Sequence, residues 1–190
     1  MIRELILQNR TCRRFHQEVA IERATLRELV DLARCSASAV NRQPLKYILS
    51  CDPEKNALIF PLLGFASQLK DWPGPSEGER PSAYIIVLGD TDIGKGFFEA
   101  NAGIATQSIL LGAREKGLGG CMHYSVKRDE LRKALSIAPK YEILYVISLG
   151  KPKEKVVLET VGPDGDHKYW RDSESVHHVP KRRLDEIIIG

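Results

Sequence analysis

The sequence predicts a single domain of mixed helix and strand, and three observations carry that prediction. Two apolar runs of strand length, Tyr84-Ile85-Ile86-Val87-Leu88 and the stretch from Ile143 to Leu149, suit strands buried on both faces. Leu26, Leu29, Val30 and Ala33 recur at the spacing of one helix face. The 190 residues, 43% hydrophobic and 28% charged, suffice for one core, and no internal repeat or second domain divides 1–190.

The elements follow in order. Ile2, Leu5 and Ile6 mark a short opening helix with Asn9 near its end. Thr25 and Glu28 stand at capping-box spacing, which predicts that the second helix begins there. Asn41 to Pro44 is a turn, because the residue before proline is driven out of the α region. Leu45 to Cys51 alternates as a strand does, and Asp52-Pro53 opens the next helix with proline at its first position. Three prolines and two glycines between Trp72 and Pro81 predict a surface loop, lid-like over 70–81. Phe97 to Lys116 reads as a long helix rich in alanine, glycine and serine, with Gly117 as its stop. Small residues there allow another helix or a subunit to approach. Gly119 to Tyr124 is a short strand, and Ser125 caps a helix through Leu131 and Leu135 to about Ile137. From Thr160 to Arg183 the chain turns polar, so a long loop is expected, followed by a strand over Leu184–Ile189 that could pair outside its own subunit.

Composition removes several functions. The net charge is only +3, and cations are interleaved with acids, unlike the basic stripe of a nucleic-acid binder. No apolar run approaches the ~20 residues that span a bilayer. Arg3, Glu4 and Gln8 interrupt any signal-peptide core, and Cys12, Cys35, Cys51 and Cys121 form no CxxC pair. The expectation is a cytoplasmic protein without zinc, disulfide or membrane contact. Gly117-Leu118-Gly119-Gly120 runs from helix to strand, the wrong order for a dinucleotide fingerprint. Gly94-Lys95-Gly96 lacks P-loop spacing, and His177-His178 lack a third metal ligand. Cys121 and His123 share a strand face but read as core or pocket lining rather than as a nucleophile pair.

Three distant clusters remain. Arg10-Thr11-Cys12-Arg13-Arg14-Phe15 is either a solvated basic turn or an anion cradle, since a guanidinium fork donates two parallel hydrogen bonds to phosphate. Ser38-Ala39-Val40-Asn41-Arg42-Gln43-Pro44 is a loop whose amides carry both donors and acceptors, as a heterocycle edge requires. Lys181, Arg182 and Arg183 are a charged tail or a second anion contact.

In order, these segments resemble the nitroreductase family, FMN-dependent flavoproteins that use NAD(P)H. The likeness spans nearly the whole chain. Arg10, Thr11, Arg13 and Phe15 match the family's opening element; Ser38, Asn41, Gln43 and Pro44 its second turn; Gly117, Leu118 and Gly119 its Gly-Leu-Gly element; and Pro180, Lys181, Arg182 and Leu184 its close. The chain departs from the pattern at Ala37, where proline is frequent, at Asn101, where aspartate is frequent, and in a short 70–81 segment. The resemblance implies an α+β fold, a mixed, mostly antiparallel sheet flanked by helices, in a homodimer whose swapped tail, 160–190, wraps the partner. It implies FMN as cofactor and NAD(P)H as co-substrate. Arg10, Thr11, Lys181 and Arg182 or Arg183 would hold the phosphate, and Arg13 would face the flavin pyrimidine and tune its potential. Ser38, Asn41 and Gln43 belong to the turn that meets the flavin edge, Asn41 from the partner chain. Backbone groups around Gly119, Gly120, His123 and Tyr124 would bracket the ring. It further implies ping-pong hydride transfer through flavin N5 to a nitroaromatic, quinone or flavin, with no catalytic side-chain dyad. Two alternatives stand beside it: oxygen-dependent, dehalogenating or flavin-fragmenting chemistry on the same clamp, and a non-catalytic anion or nucleic-acid binding module.

Overall fold

A computed structural model describes residues 2–190. Its elements are α1 (Ile2–Gln8), β1 (Phe15–His16), α2 (Arg23–Arg34), β2 (Leu45–Ser50), α3 (Pro53–Ile59), β3 (Ala83–Asp90) and α4 (Phe98–Glu115). They continue with β4 (Gly119–His123), α5 (Arg128–Ala134), β5 (Tyr141–Pro152), β6 (Val156–Thr160), β7 (Trp170–Arg171), β8 (His177–Lys181) and α6 (Leu184–Ile187).

The main sheet is antiparallel, in the order β1-β5-β3-β2, with β4 also paired to β5. Its central strand β3 is buried at every position, as its unbroken apolar run predicts. Alternation then divides its side chains between two cores. Ala83, Ile85 and Val87 join Leu26, Leu29, Ala105 and Ile109 beneath α2 and α4. Tyr84, Ile86 and Leu88 join Ile59 and Leu131 beneath α3 and α5. Each of these valine, leucine and isoleucine side chains contributes about 1.5–3 kcal/mol by leaving water. The small residues of α4 admit its neighbour: a Cβ on Gly112 would lie 2.3 Å from Leu32 Cδ1 of α2. Phe15, fully buried, likewise seats its ring where a Cβ on Gly150 would stand.

Helix boundaries follow local chemistry. Asp52 caps α3 by accepting the Lys55 N–H at 2.9 Å, with Pro53 next. Gly117 takes φ +70° beyond the end of α4, a conformation open to glycine. Two expected caps are not used. Helix α2 starts at Arg23, so Thr25 lies inside it, and α5 starts at Arg128, beyond Ser125, whose carbonyl instead receives the Gly64 N–H.

The tail differs most from expectation. The predicted loop over Thr160–Arg183 contains two strands, β7 and β8, which join the preceding β6 in a second sheet, β6-β8-β7, with β6 and β8 of the same chain parallel. Polar side chains hold it: His178 bonds Glu159 at 2.6 Å and Asp172 at 3.2 Å, and stacks on Trp170 with centroids 4.0 Å apart. The predicted strand over Leu184–Ile189 is instead one helical turn, α6, with acids Asp185 and Glu186 at its N-terminal end and no buried residue. The 70–81 segment is irregular, as its prolines require, and is tied down at Glu79, which Arg14 grips with two bonds of 2.7 Å and Lys153 with one of 3.1 Å.

Candidate functional site

The first and last segments of the chain meet in one cleft of about 490 Å³. Arg10, Thr11 and Arg13 reach it from the segment before β1, Gly120 and Met122 from β4, and Thr106, Gln107 and Leu110 from one face of α4. The tail supplies the opposite wall with Tyr169, His177, Val179 and Lys181. The last three are alternate residues of β8, so the pleat of that strand selects which of them face the cleft. Three cations line this cleft and no acidic residue does.

The extended N-terminal strap is fixed by its backbone. Thr11 bridges Gly120, the Cys12 N–H donates to the Gly120 carbonyl at 2.9 Å, and the Lys153 N–H donates to the Arg14 carbonyl at 2.9 Å. Gly120 is required by its own neighbours in α4 and β5, since a Cβ there would stand 2.7 Å from Leu110 and 2.8 Å from the Ser148 carbonyl oxygen. Adjacent arginines then part: Arg14 clasps Glu79, while Arg13 lines the cleft beneath Tyr169, its guanidinium carbon 5.0 Å from the ring centroid. The shielded Glu154 carboxylate receives the Arg13 backbone N–H and is matched by Arg171 at 2.8 Å. The Arg13 side-chain charge is therefore left to the cleft.

Seven buried side-chain polar atoms lack a hydrogen-bond partner among the described residues, and four of them belong to cleft residues: Arg10 Nε, Arg13 Nε, Thr106 Oγ1 and His177 Nδ1. Burying such a group unpaired costs about 1–3 kcal/mol, so four of them on residues around one cleft agree with a ligand-binding place. His177 Nε2 lies 3.4 Å from Arg13 Nη1, a permanent donor, which leaves the proton on Nδ1. Burial and the cations Arg13 and Arg171 push the His177 pKa down to about 4, so the ring is neutral at neutral pH. All four orphaned atoms are thus donors or can donate. Together with Lys181 they suit a ligand rich in acceptors and negative charge, while Leu110, Met122 and Tyr169 suit a flat apolar body. FMN combines those properties, and the residues present fit it.

Other predicted residues lie elsewhere. Ser38 and Gln43 line a separate pocket of about 170 Å³ with Tyr47 and Asn101, and Asn41 is exposed beside it. Their turn is strained: Val40, Asn41 and Gln43 have φ of 54°, 51° and 51°. Asn101 on α4 steadies it by accepting the Ala39 N–H at 2.8 Å. Gly119 lies in a groove beside Arg10 and Cys12. His123 is a core side chain, bonded to the Gly64 carbonyl at 3.1 Å and Ser148 Oγ at 2.9 Å, and does not line the cleft. Tyr124 is exposed against Arg128 and Tyr145. Arg182 and Arg183 are exposed and outside the cleft lining. Tyr169, His177 and Thr106 escaped sequence reasoning. Reading β8 as a strand would have separated His177 from its neighbour and aligned it with Val179 and Lys181.

The family's sequence profile, described as the nitroreductase family, matches residues 6–151. The chain belongs to the nitroreductase family. A relative from Methanothermobacter thermautotrophicus, provisionally named NADH dehydrogenase/NAD(P)H nitroreductase, is 30% identical over 158 residues, 80% of this chain and 77% of that one. The crystal structure of a nitroreductase family protein from Streptococcus pneumoniae TIGR4 superposes with a TM-score of 0.72 over 100% of both chains at 16% identity. An FMN-dependent nitroreductase from Clostridium difficile R20291 gives 0.64 at 22% identity, over 82% of this chain and 89% of that one. The nitroreductase fold places this α+β chain among oxidoreductases, and among the described residues no helix is long and apolar enough to cross a membrane.

Proposed function

We propose that this nitroreductase-family protein binds FMN in the cleft between Arg10 and Lys181 and carries reducing equivalents from NAD(P)H to a nitroaromatic, quinone or free flavin. Bound FMN would supply the two-electron carrier, accepting hydride at N5 from the nicotinamide and releasing it to the acceptor in a separate half-reaction. The chain itself binds and orients. Arg10, Lys181 and the Thr11 hydroxyl hold the phosphate; Arg13 sets its charge against the pyrimidine edge, favouring the reduced, anionic form. Thr106 and His177 Nδ1 donate to ring or ribityl oxygens. Tyr169 and Leu110 exclude water around the ring. A second copy of the chain completes each site by bringing the strained Ser38–Gln43 turn to the flavin edge, and the 160–190 tail extends over that neighbour.

One observation supports this proposal: the residues around a single acid-free cleft include three cations and carry four unpaired buried polar atoms. The named FMN dependence of the Clostridium difficile relative supports it. The visible spectrum of protein desalted after mixing with FMN should carry oxidised-flavin bands that NADH or NADPH bleaches and a quinone restores. Arg10→Gln and Lys181→Gln should each weaken FMN binding about 10- to 100-fold, the worth of one charge-assisted contact. A colourless protein that does not oxidise NAD(P)H would end the proposal.

A further inference from the structure

Six of the seven unpaired buried polar atoms belong to residues that line two cavities. Four line the cleft already described. Two more, Arg80 Nε and Ser82 Oγ, belong to residues lining a separate pocket of about 230 Å³ beside α3 that shares no lining residue with the first. We infer that this pocket binds a small organic carboxylate through Arg80 and Ser82.

Charge is the first support. Arg80 is the pocket's one charged lining residue. The neighbouring Glu79 does not neutralise it, because Arg14 and Lys153 hold that carboxylate and drive its pKa down to about 2. Geometry is the second. The Arg80 guanidinium is seated over the Phe60 ring, 4.5 Å from its centroid, and its backbone N–H donates to Gln17 Oε1 at 3.1 Å. A guanidinium whose carbon sits over a ring face spends no hydrogen-bond donor on that contact, and its donors can meet a carboxylate in parallel pairs. Ser82 is set by its own carbonyl, which accepts Asn56 Nδ2 at 2.8 Å, while Asn56 Oδ1 accepts Ser50 Oγ at 2.7 Å. The Asn56 amide is thereby engaged within the protein, and the Ser82 hydroxyl is not. Ala20, Ala57, Phe60 and Pro81 make part of the wall apolar, and the polar Gln17, Asn56 and Tyr84 within it are uncharged. A lone cation with a partly apolar, uncharged wall suits a carboxylate on a hydrocarbon or ring body better than a bare inorganic anion.

Benzoate is the probe, titrated calorimetrically into the protein with and without saturating FMN. Saturable binding is expected in both conditions, with benzamide and inorganic phosphate each at least about tenfold weaker, as loss of a charge-assisted contact or of apolar burial requires. Arg80→Met, which keeps the stem over Phe60, should weaken benzoate about tenfold and leave FMN retention unchanged. Ala57→Phe, on the exposed side of α3, should block the pocket without touching the arginine. Any one of four results overturns the inference: no saturable benzoate binding, binding that FMN abolishes, benzamide or phosphate binding as tightly as benzoate, or unaltered binding in Ala57→Phe.

Discussion

At the scale of single residues, two buried histidines make stability depend on pH. His123 donates from Nδ1 to the Gly64 carbonyl and accepts at Nε2 from Ser148, an arrangement only the neutral ring can make. Burial lowers its pKa from 6.5 to about 4, and burial lowers that of His177 to about 4 as well. A depressed histidine pKa means that the unfolded chain takes up the proton first. The native state keeps its full advantage above pH 6.5 and loses it as pH falls through 4; for His123 the loss is about 3 kcal/mol. Glu79, with its pKa lowered from 4.5 to about 2, loses its contribution between those values, so most of its effect lies below the histidine window. Urea unfolding should therefore give a smaller free energy at pH 4.5 than at pH 7, and His123→Gln should remove about half of the difference. Arg13 tests the site rather than the core. With FMN bound, Arg13→Ala should lower the flavin midpoint potential and slow reduction by NAD(P)H, because it removes the cation proposed to face the reduced ring; unchanged values would reassign that residue.

At the scale of elements, what the sequence revealed depended on where the signal was hydrophobic. β3, β5, α2 and α4 were legible because apolar periodicity and unbroken apolar runs are the forces that bury them. Asp52 and Gly117 were legible because capping chemistry is local. The tail sheet was not, since only β6 carries an aliphatic run, Val156-Val157-Leu158, while β7 and β8 are joined by backbone pairing and by His178 with Glu159 and Asp172. The site divides along the same line. Arg10, Thr11, Arg13, Gly120 and Lys181 stood out as clustered cations and a glycine run, whereas Tyr169 and His177 sat in a stretch read as loop. Two predictions belong here. Gly120→Ala should destabilise the fold by about 1–3 kcal/mol in urea, because its Cβ meets the backbone oxygen of Ser148 and cannot be relieved by a side-chain rotation. His178 has its pKa raised by Asp172 and Glu159, so its contribution is present in acid and lost as pH rises through that value. His178→Leu should therefore speed amide exchange across β6–β8 at pH 6 far more than at pH 9.

At the scale of the whole molecule, the proposed function calls for a second copy of the chain, and the exposed apolar surface agrees with one. The Ser38–Gln43 turn holds a strained backbone conformation, with Val40 78% exposed, yet it opens on a pocket apart from the cationic cleft. Strain of that kind persists where surrounding structure enforces it and function uses it. Gly103 lines the cleft with open space where a Cβ would stand, and Ile104 beside it is exposed, as are Ile2, Ile6 and Leu7 of α1, which buries none of its residues. Apolar surface disposed along two helices next to the cleft is what the proposed second copy would cover while bringing its own turn to the ligand. Sedimentation of the FMN-loaded protein should accordingly give twice the 21.3 kDa chain mass. Ile104→Glu should shift it toward monomer and weaken FMN about tenfold or more, since a buried unpaired charge opposes association and each site loses its second wall. Asn41→Ala should weaken FMN while leaving the dimer intact. A monomer that retains FMN as tightly as the parent protein would place every essential contact within one chain and leave the strained turn without a role in binding.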